Sequence, residues 1–350
     1  MEKSSQYRFD VSWVIIGKNA DWSIGRLLQS IIAHVPQQLS SEIIYVDSAS
    51  TDRTIEVVRA YPATVVQLSS KYPLCASAGR FIGSQYATGK YIAFIDSDME
   101  LAGGWLDAAV KLLEGEPGIG VVSGVILEAD RTAHSGAVIQ PPDDGGSIID
   151  IRYAGNAAIF RREALDAAGD WNPYLISDEE PELCLRIRHL GYRVVQLPCQ
   201  VSWHYTYPVY RISTLLSRRK RRLFLGYGQV VRYHLRTGLL VTYFRERGWA
   251  IIPALACLTA FGAVLTSVIS KNSVWILGYM GALLLVLAMD AVRSRSIYRM
   301  IFHVFHRALI LEGTIRGFAM RPHACSENPL DVQLSGPSAS ATLNAGGISA

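Results

Sequence analysis

Three carboxylate clusters and one histidine are the groups in this sequence whose types and spacing could do chemistry. Asp96-Ser97-Asp98 closes the apolar run Tyr91 to Ile95. Two carboxylates one residue apart at a strand end project close together, a repulsion that a bound cation relieves. Hard divalent ions take oxygen ligands, and Mg²⁺ commonly shares its shell with substrate phosphates. The pattern therefore suits a metal–diphosphate site; a solvated turn is the plainer reading. Asp47 ends a second apolar run and opens Asp47-Ser48-Ala49-Ser50-Thr51-Asp52. A carboxylate there can accept hydrogen bonds from a base or a ribose, and Ser50 reads as the N-cap of the next helix. Asp178-Glu179-Glu180-Pro181-Glu182 packs four carboxylates into five positions at a helix start. The positive helix end favours acids there, and Pro181 suits the first turn. The same crowding would raise a carboxyl pKa toward that of a general base. His204, after a strand-like segment, is either a metal ligand or a structural histidine.

Groups so far apart in sequence need a scaffold that gathers strand ends. Apolar runs at Val11 to Gly17, Ile43 to Asp47, Val65 to Leu68 and Tyr91 to Ile95 alternate with helical spacing at Ser23 to His34, Thr51 to Ala60 and Ser77 to Ala87. This order predicts an α/β fold with a Rossmann-like, mostly parallel sheet covered on both faces. Such sheets bind ligands at the carboxyl ends of their strands, where Asp47 and Asp96 stand. Val121 to Leu127 and Ala137 to Gln140 read as further strands, Pro141 to Ser147 as a loop, Glu179 to Leu190 as a helix closed by Gly191, and Tyr192 to Leu197 as a strand.

In this order the segments resemble the family 2 glycosyltransferases of GT-A fold, over residues 11 to about 205. Val11 to Asn19 is similar to their opening strand. Val46-Asp47-Ser48-Ala49-Ser50-Thr51-Asp52-Arg53-Thr54 resembles "VDxGSTDxT", and Ala78 to Gly83 stands where the family has "AARNxG". Tyr91 to Asp98 resembles the strand leading to DxD. Gly155-Asn156-Ala157 to Asp170, then Glu179 to Arg186, resembles the acceptor segment and the "ED-x-[DE]-L-x-x-R" helix. The resemblance implies inverting transfer of a sugar from a nucleotide-diphosphate sugar. It implies that Gly17 and Asn19 line the nucleotide pocket, that Asp47 and Arg80 contact the nucleotide, and that Asp96 with Ser97 holds the ribose or metal side. Asp98, with Asp96 and His204 as further candidates, would ligate Mg²⁺ or Mn²⁺. Glu180 would be the base, with Glu179 and Asp178 as rivals, because the usual Asp of the pair is a Glu here. Gly155, Asn156, Glu182 and Arg186 would lie on the acceptor side. Gln229-Val230-Val231-Arg232-Tyr233 partly resembles the "QxxRW" motif of processive synthases, which adds Gln229 and Arg232 to that side.

The last third has a different character. Trp249 to Ile269 and Ser273 to Met289 carry no charge and are separated only by Ser270, Lys271 and Asn272. A helix needs about 20 apolar residues to cross a bilayer, so a two-helix transmembrane hairpin (about 249–269 and 273–291, within 248–292) is expected. Lys and Arg cluster on both flanks, from Arg218 to Arg247 before it and at Arg293, Arg295 and Arg299 after it. By the positive-inside rule both termini and the catalytic domain face the cytoplasm, at the plasma (inner) membrane, and the polar Met1 to Asp10 argues against a signal peptide. The expected organisation is a GT-A domain over 1–205, a basic interfacial segment over 206–247, the hairpin, an interfacial amphipathic helix over 293–320, and a disordered tail over 321–350. Five scattered cysteines with no CxxC fit a reducing compartment. A net charge of +4 is too mild to point to nucleic acid.

The partners expected are therefore a nucleotide-diphosphate sugar, a lipid-linked or growing glycan acceptor, and membrane lipid. A polyprenyl-phosphate acceptor, or a non-catalytic nucleotide-sugar-binding scaffold, stays open beside that reading.

Overall fold

The computed structural model describes residues 7–70, 74–131, 146–206, 210–323 and 332–335. The strand expected at Ala137 to Gln140, and the loop from Pro141 as far as residue 145, lie outside them. The chain divides into two units, Met1–Tyr207 with His323–Ala350, and Pro208–Pro322.

The first unit is built on one ten-stranded sheet. Its strands are β1 (Phe9–Gly17), β2 (Ser41–Asp47), β3 (Ala63–Leu68), β4 (Gly89–Asp96), β5 (Met99–Leu101), β6 (Ile119–Asp130), β7 (Ile149–Asp150), β8 (Ala157–Arg161), β9 (Arg193–Thr206) and β10 (Val332–Ser335). The order is β10-β3-β2-β1-β4-β8-β6-β9-β5, with β7 on β9. β3, β2, β1 and β4 run parallel, as the alternation of strands and helices requires. Beyond β4 the sheet turns mixed: β8 is antiparallel to both β4 and β6, and β5 to β9. The expectation of a mostly parallel sheet thus holds for the first four strands and again for β6 with β9, while β5, β7, β8 and β10 pair antiparallel.

Period-two alternation sends side chains to two cores. On one face Val11, Trp13 and Ile15 of β1 meet Leu27, Leu28 and Ile31 of α1 (Ile24–His34) and Trp105 of α4 (Trp105–Gly115). On the other, Val14 and Ile16 meet Ile82 of α3 (Ala76–Tyr86), Leu165 of α5 (Arg162–Ala168) and Leu183 of α6 (Glu179–His189). Each fully buried Leu or Ile contributes about 1.5–3 kcal/mol of transfer free energy, so the strand ends rest on a rigid floor.

Two local expectations need correction. The helix after β2 is the short α2 (Thr54–Val58), and Ser50 does not cap it; Ser50 is drawn into the loop, its N–H donating to Asp47 Oδ2 at 3.0 Å. Within the segment read as a disordered tail, Val332–Ser335 adds antiparallel to β3. A free edge offers unpaired N–H and C=O groups to any short extended segment.

The second unit is helical: α7 (Ile212–Lys220), α8 (Gly226–Tyr233), α9 (Leu240–Arg247), α10 (Ile252–Ser270), α11 (Val274–Ser294) and α12 (Ile297–Ala319). α10 and α11 are long and apolar enough to cross a membrane, and α11 has no buried residue. The expectation of a purely interfacial last helix is revised. α12 buries Phe302, Leu309, Ile310, Gly313 and Gly317, and Cβ atoms added at Gly313 and Gly317 would lie 2.3 Å from Phe224 O and 2.0 Å from Leu225 O, on the segment that opens α8.

Candidate active site

Strand register gathers the chemistry. Gly17 pairs with Asp47 and Ile16 with Asp96, so the carboxyl ends of β2, β1 and β4 lie side by side. Chain order reverses at β1, between β2 and β4, which is where open parallel sheets bind ligands. β8 runs back along β4, pairing Ala157 with Ile95, and so brings Gly155 and Asn156 beside the end of β4. β9 pairs His204 with Met99, next to Asp98, whose carbonyl accepts from Tyr205 N–H at 3.0 Å.

The residues expected on the nucleotide side form one framework. Asp47 is fully buried; its Oδ2 accepts from Ser50 N–H, while its Oδ1 has no hydrogen-bond partner. Tyr45, two residues earlier on the same face, has an equally orphaned buried hydroxyl. A buried polar atom without a partner costs about 1–3 kcal/mol, so these two are poised for groups of a ligand. Gly17 leaves no room between them: a Cβ there would lie 2.5 Å from both Ser97 Oγ and Tyr45 Oη. Asn19, with φ +52°, accepts Thr51 N–H on its Oδ1 at 2.8 Å and donates its own N–H to Ser50 Oγ at 2.8 Å. It therefore ties the loops after β1 and β2 together.

Arg80, which the resemblance sets against the nucleotide, lies among carboxylates. It is 2% exposed and donates from Nη2 to Asp96 Oδ1 at 3.0 Å and from Nη1 to Glu179 Oε1 at 2.8 Å. Glu180 Oε1 lies 2.9 Å from the same Nη1, and the guanidinium stacks 5.1 Å from the Trp171 ring centroid. Every polar contact of Arg80 is thus with a carboxylate, and the residue clamps the end of β4 to the start of α6. One guanidinium faces three carboxylates. Burial pushes Asp96 up to about 6 against the opposing pull of Arg80, with the Asp98 charge adding to the rise. Burial first, then the neighbouring Glu180 charge, pushes Glu179 up to about 8.

Asp98 Oδ2 lies 3.5 Å from His204 Nε2, with both side chains partly exposed. Burial would lower the His204 pKa, but the hydrogen bond and charge of Asp98 hold it above its usual value. Among the described residues no three His, Cys, Asp or Glu side chains close a metal cage. What converges instead is an open set of hard oxygen and imidazole donors, which suits a cation whose shell is completed by phosphate oxygens.

The acidic run separates by environment. Glu179 is buried, and Asp178 stands at the N-cap with φ +64°. Glu180, with its side chain 17% exposed, opens toward solvent from the clamp. Glu182 is 0% exposed and is held by Arg186 through Nε–Oε1 (2.8 Å) and Nη2–Oε2 (2.7 Å), with Arg186 also donating to Ala168 O. That closed pair binds α6 to the end of α5, so Glu182 and Arg186 are structural and leave the acceptor side. Gln229 and Arg232 lie in the second unit on α8, where Arg232 stacks over Phe318 at 5.5 Å. Tyr45 and Trp171 escaped the sequence reading. Tyr45 could have been found, since period two places it on the face of Asp47; Trp171 carried no local signal.

A half-parallel sheet with carboxylates at the ends of β2 and β4, and an acidic helix clamped to the second, defines a GT-A fold. Residues 12–169 match the family model described as Glycosyl transferase family 2. It is 32% identical over 111 residues to "Polypeptide N-acetylgalactosaminyltransferase 3" of Drosophila melanogaster. That stretch covers 29% of this chain and only 16% of the fly protein. Among solved structures it is similar to the mannosyltransferase PcManGT from Pyrobaculum calidifontis in complex with GDP-Man and Mn²⁺, with TM-score 0.59, 20% identity and coverage of 89% and 88% of the two chains. It is also similar to GalNAc-T7 with UDP, GalNAc and Mn²⁺, with TM-score 0.50, 17% identity and coverage of 64% and 47%. At these identities the structures speak for the fold.

Proposed function

We propose that the chain moves a sugar, with inversion, from a nucleotide-diphosphate sugar to a hydroxyl of a lipid-linked or growing glycan acceptor on the cytoplasmic face of the plasma membrane. The observation that carries this reading is the Arg80 clamp, which sets the donor-side Asp96 and the acidic start of α6 around one guanidinium. Asp47 Oδ1 and the Tyr45 hydroxyl, both buried and unpartnered, receive the base or ribose. Asp98, with His204 and Asp96, would hold Mg²⁺ or Mn²⁺, which when bound offsets charge on the departing diphosphate. Glu180, the more open of the two clamped glutamates, takes the proton of the acceptor hydroxyl as it attacks the anomeric carbon in line. Gly155 and Asn156, beside the end of β4, line the acceptor side. Two apolar helices in the same chain support an acceptor presented at a bilayer.

Calorimetric titration of the detergent-purified chain with UDP, GDP and dTDP, each with and without Mn²⁺, tests the reading. One nucleotide should bind in a metal-dependent manner, and Asp98→Ala should abolish the metal dependence while the thermal transition stays in place, since Asp98 is 40% exposed. A fully active Asp98→Ala variant would remove the metal assignment. Folded protein that binds none of the three nucleotides would remove the donor assignment.

A further inference from the structure

The second unit carries a cationic groove that the catalytic reading does not use. Arg218 to Arg222 are five consecutive basic residues at the turn between α7 and α8, all exposed. Arg222 holds a left-handed backbone, φ +64°. Across from this turn lies the second half of α12. Arg219 donates to both carboxylate oxygens of Glu312, Nε to Oε2 at 2.7 Å and Nη2 to Oε1 at 2.8 Å, and Arg316 Nη1 reaches Oε1 at 3.0 Å. Arg218, Lys220, Arg221 and Arg222 have no carboxylate partner among the described residues. Between the turn and α12 is a shallow, open groove lined by Arg219, Arg222 and Arg316 together with Phe224 and Leu309.

The chemistry of this groove is two-sided. Three guanidiniums against one carboxylate leave a surplus of two positive charges at the rim. Glu312 holds two of those guanidiniums in fixed positions, so less side-chain freedom is lost when an anion binds. Guanidinium forks match phosphate oxygens bidentately. The floor is apolar, which an inorganic anion would not fill. The same unit holds α10 and α11, whose exposed Leu258, Phe261 and Leu277 are 65%, 67% and 65% accessible. A unit with such a surface meets lipid before it meets other phosphate esters.

We propose that the groove between the α7–α8 turn and α12 binds the phosphate headgroup of an anionic glycerophospholipid. The site rests on the membrane reading of the hairpin and not on the catalytic assignment, so either can fail without the other.

The test uses the intact chain in neutral detergent, titrated separately with short-chain phosphatidylglycerol, phosphatidylcholine of the same chain length, and inorganic phosphate. Short-chain lipid reads the groove without requiring the hairpin to span a bilayer. Phosphatidylglycerol should bind saturably, at least about tenfold more tightly than either alternative. Arg222→Asn combined with Arg316→Gln should weaken it about tenfold or more, Asn being chosen because it tolerates the left-handed backbone. Arg236→Gln, which removes one exposed charge outside the groove, should change it less than about twofold, as expected for screened surface charge. Equal binding of the two lipids, inorganic phosphate binding as tightly as the lipid, or equal weakening by Arg236→Gln would each overturn the proposal. The wild-type comparison decides the matter even if the double variant does not fold.

Discussion

Arg80 and the three carboxylates around it concentrate the consequences of single substitutions. Arg80→Ala would leave Asp96, Glu179 and Glu180 facing one another without a cation, and removal of one partner from a buried ion cluster costs about 3–5 kcal/mol. The variant should unfold at markedly lower temperature, with Arg80→Lys between it and wild type because an ammonium cannot fork; an unchanged transition for Arg80→Ala would mean the clamp contributes nothing to stability. Glu179 gives a pH signature. Burial and the Glu180 charge push its folded pKa up from the usual carboxylate range to about 8. The folded state therefore binds this proton more tightly than the unfolded chain does. The stabilisation is complete below about pH 4.5 and is lost as pH rises toward 8. Glu179→Gln lacks this group, so wild type should lose apparent Tm relative to the variant between pH 5 and 9, by about 2–4 °C for each kcal/mol in a unit of this size. A constant difference across that range would refute the assignment. The residue scale is also where the sequence was most informative. Strand-end carboxylates are legible because an apolar run stops at them. Arg80 was found, but its carboxylate partners were not, since nothing local to Ala78 to Gly83 says that Glu179, far along the chain, will face it.

At the scale of elements, what could be read depended on where each element gets its stability. β1, β2 and β4 are buried on both faces and show it as unbroken apolar runs. β5, β7 and β10 are two to four residues long, and their pairing comes from partner strands rather than from their own composition. α12 illustrates the opposite failure: its charged and apolar stripes were visible, but its glycines went unread. Gly313 and Gly317 lie one turn apart on the face against the start of α8, and Gly228 answers from α8 with a Cβ position 2.1 Å from Thr314 O. Backbone against backbone cannot yield, so Gly317→Ala or Gly228→Ala should cost more than the ~1–3 kcal/mol of ordinary overpacking. Gly262→Ala on α10, where nothing lies within 4 Å, is the matched control. Size-exclusion profiles after heating in detergent should show aggregation of the first two at lower temperature and none of that loss in the third. Unchanged profiles for Gly317→Ala would mean that α8 and α12 do not pack this closely.

For the whole molecule, the distribution of charge decides which way the chain faces. Lys271 is the lone charge between the two apolar helices, whereas Arg293, Arg295 and Arg299 follow them and a dense basic stretch from Arg218 to Arg247 precedes them. Each cation moved across a polarised membrane works against about 2.3 kcal/mol per 100 mV, so the expected orientation of the hairpin has its short loop outward and both flanks inside. The proposed function requires that orientation, because it puts the first unit on the same side as a cytoplasmic donor. It can be read with a membrane-impermeant maleimide on intact cells, in a background with Cys257 and Cys325 replaced by Ser. The other described cysteines give little interference: burial pushes the thiols of Cys75 and Cys184 up to about 12 and raises that of Cys199, far from reactive thiolates at neutral pH. Lys271→Cys should label from outside, whereas Arg59→Cys, exposed just after α2, should label only after permeabilisation. If position 271 is reached only after permeabilisation, the hairpin does not cross, and the acceptor would have to be met by a domain bound to the membrane surface through its basic helices alone.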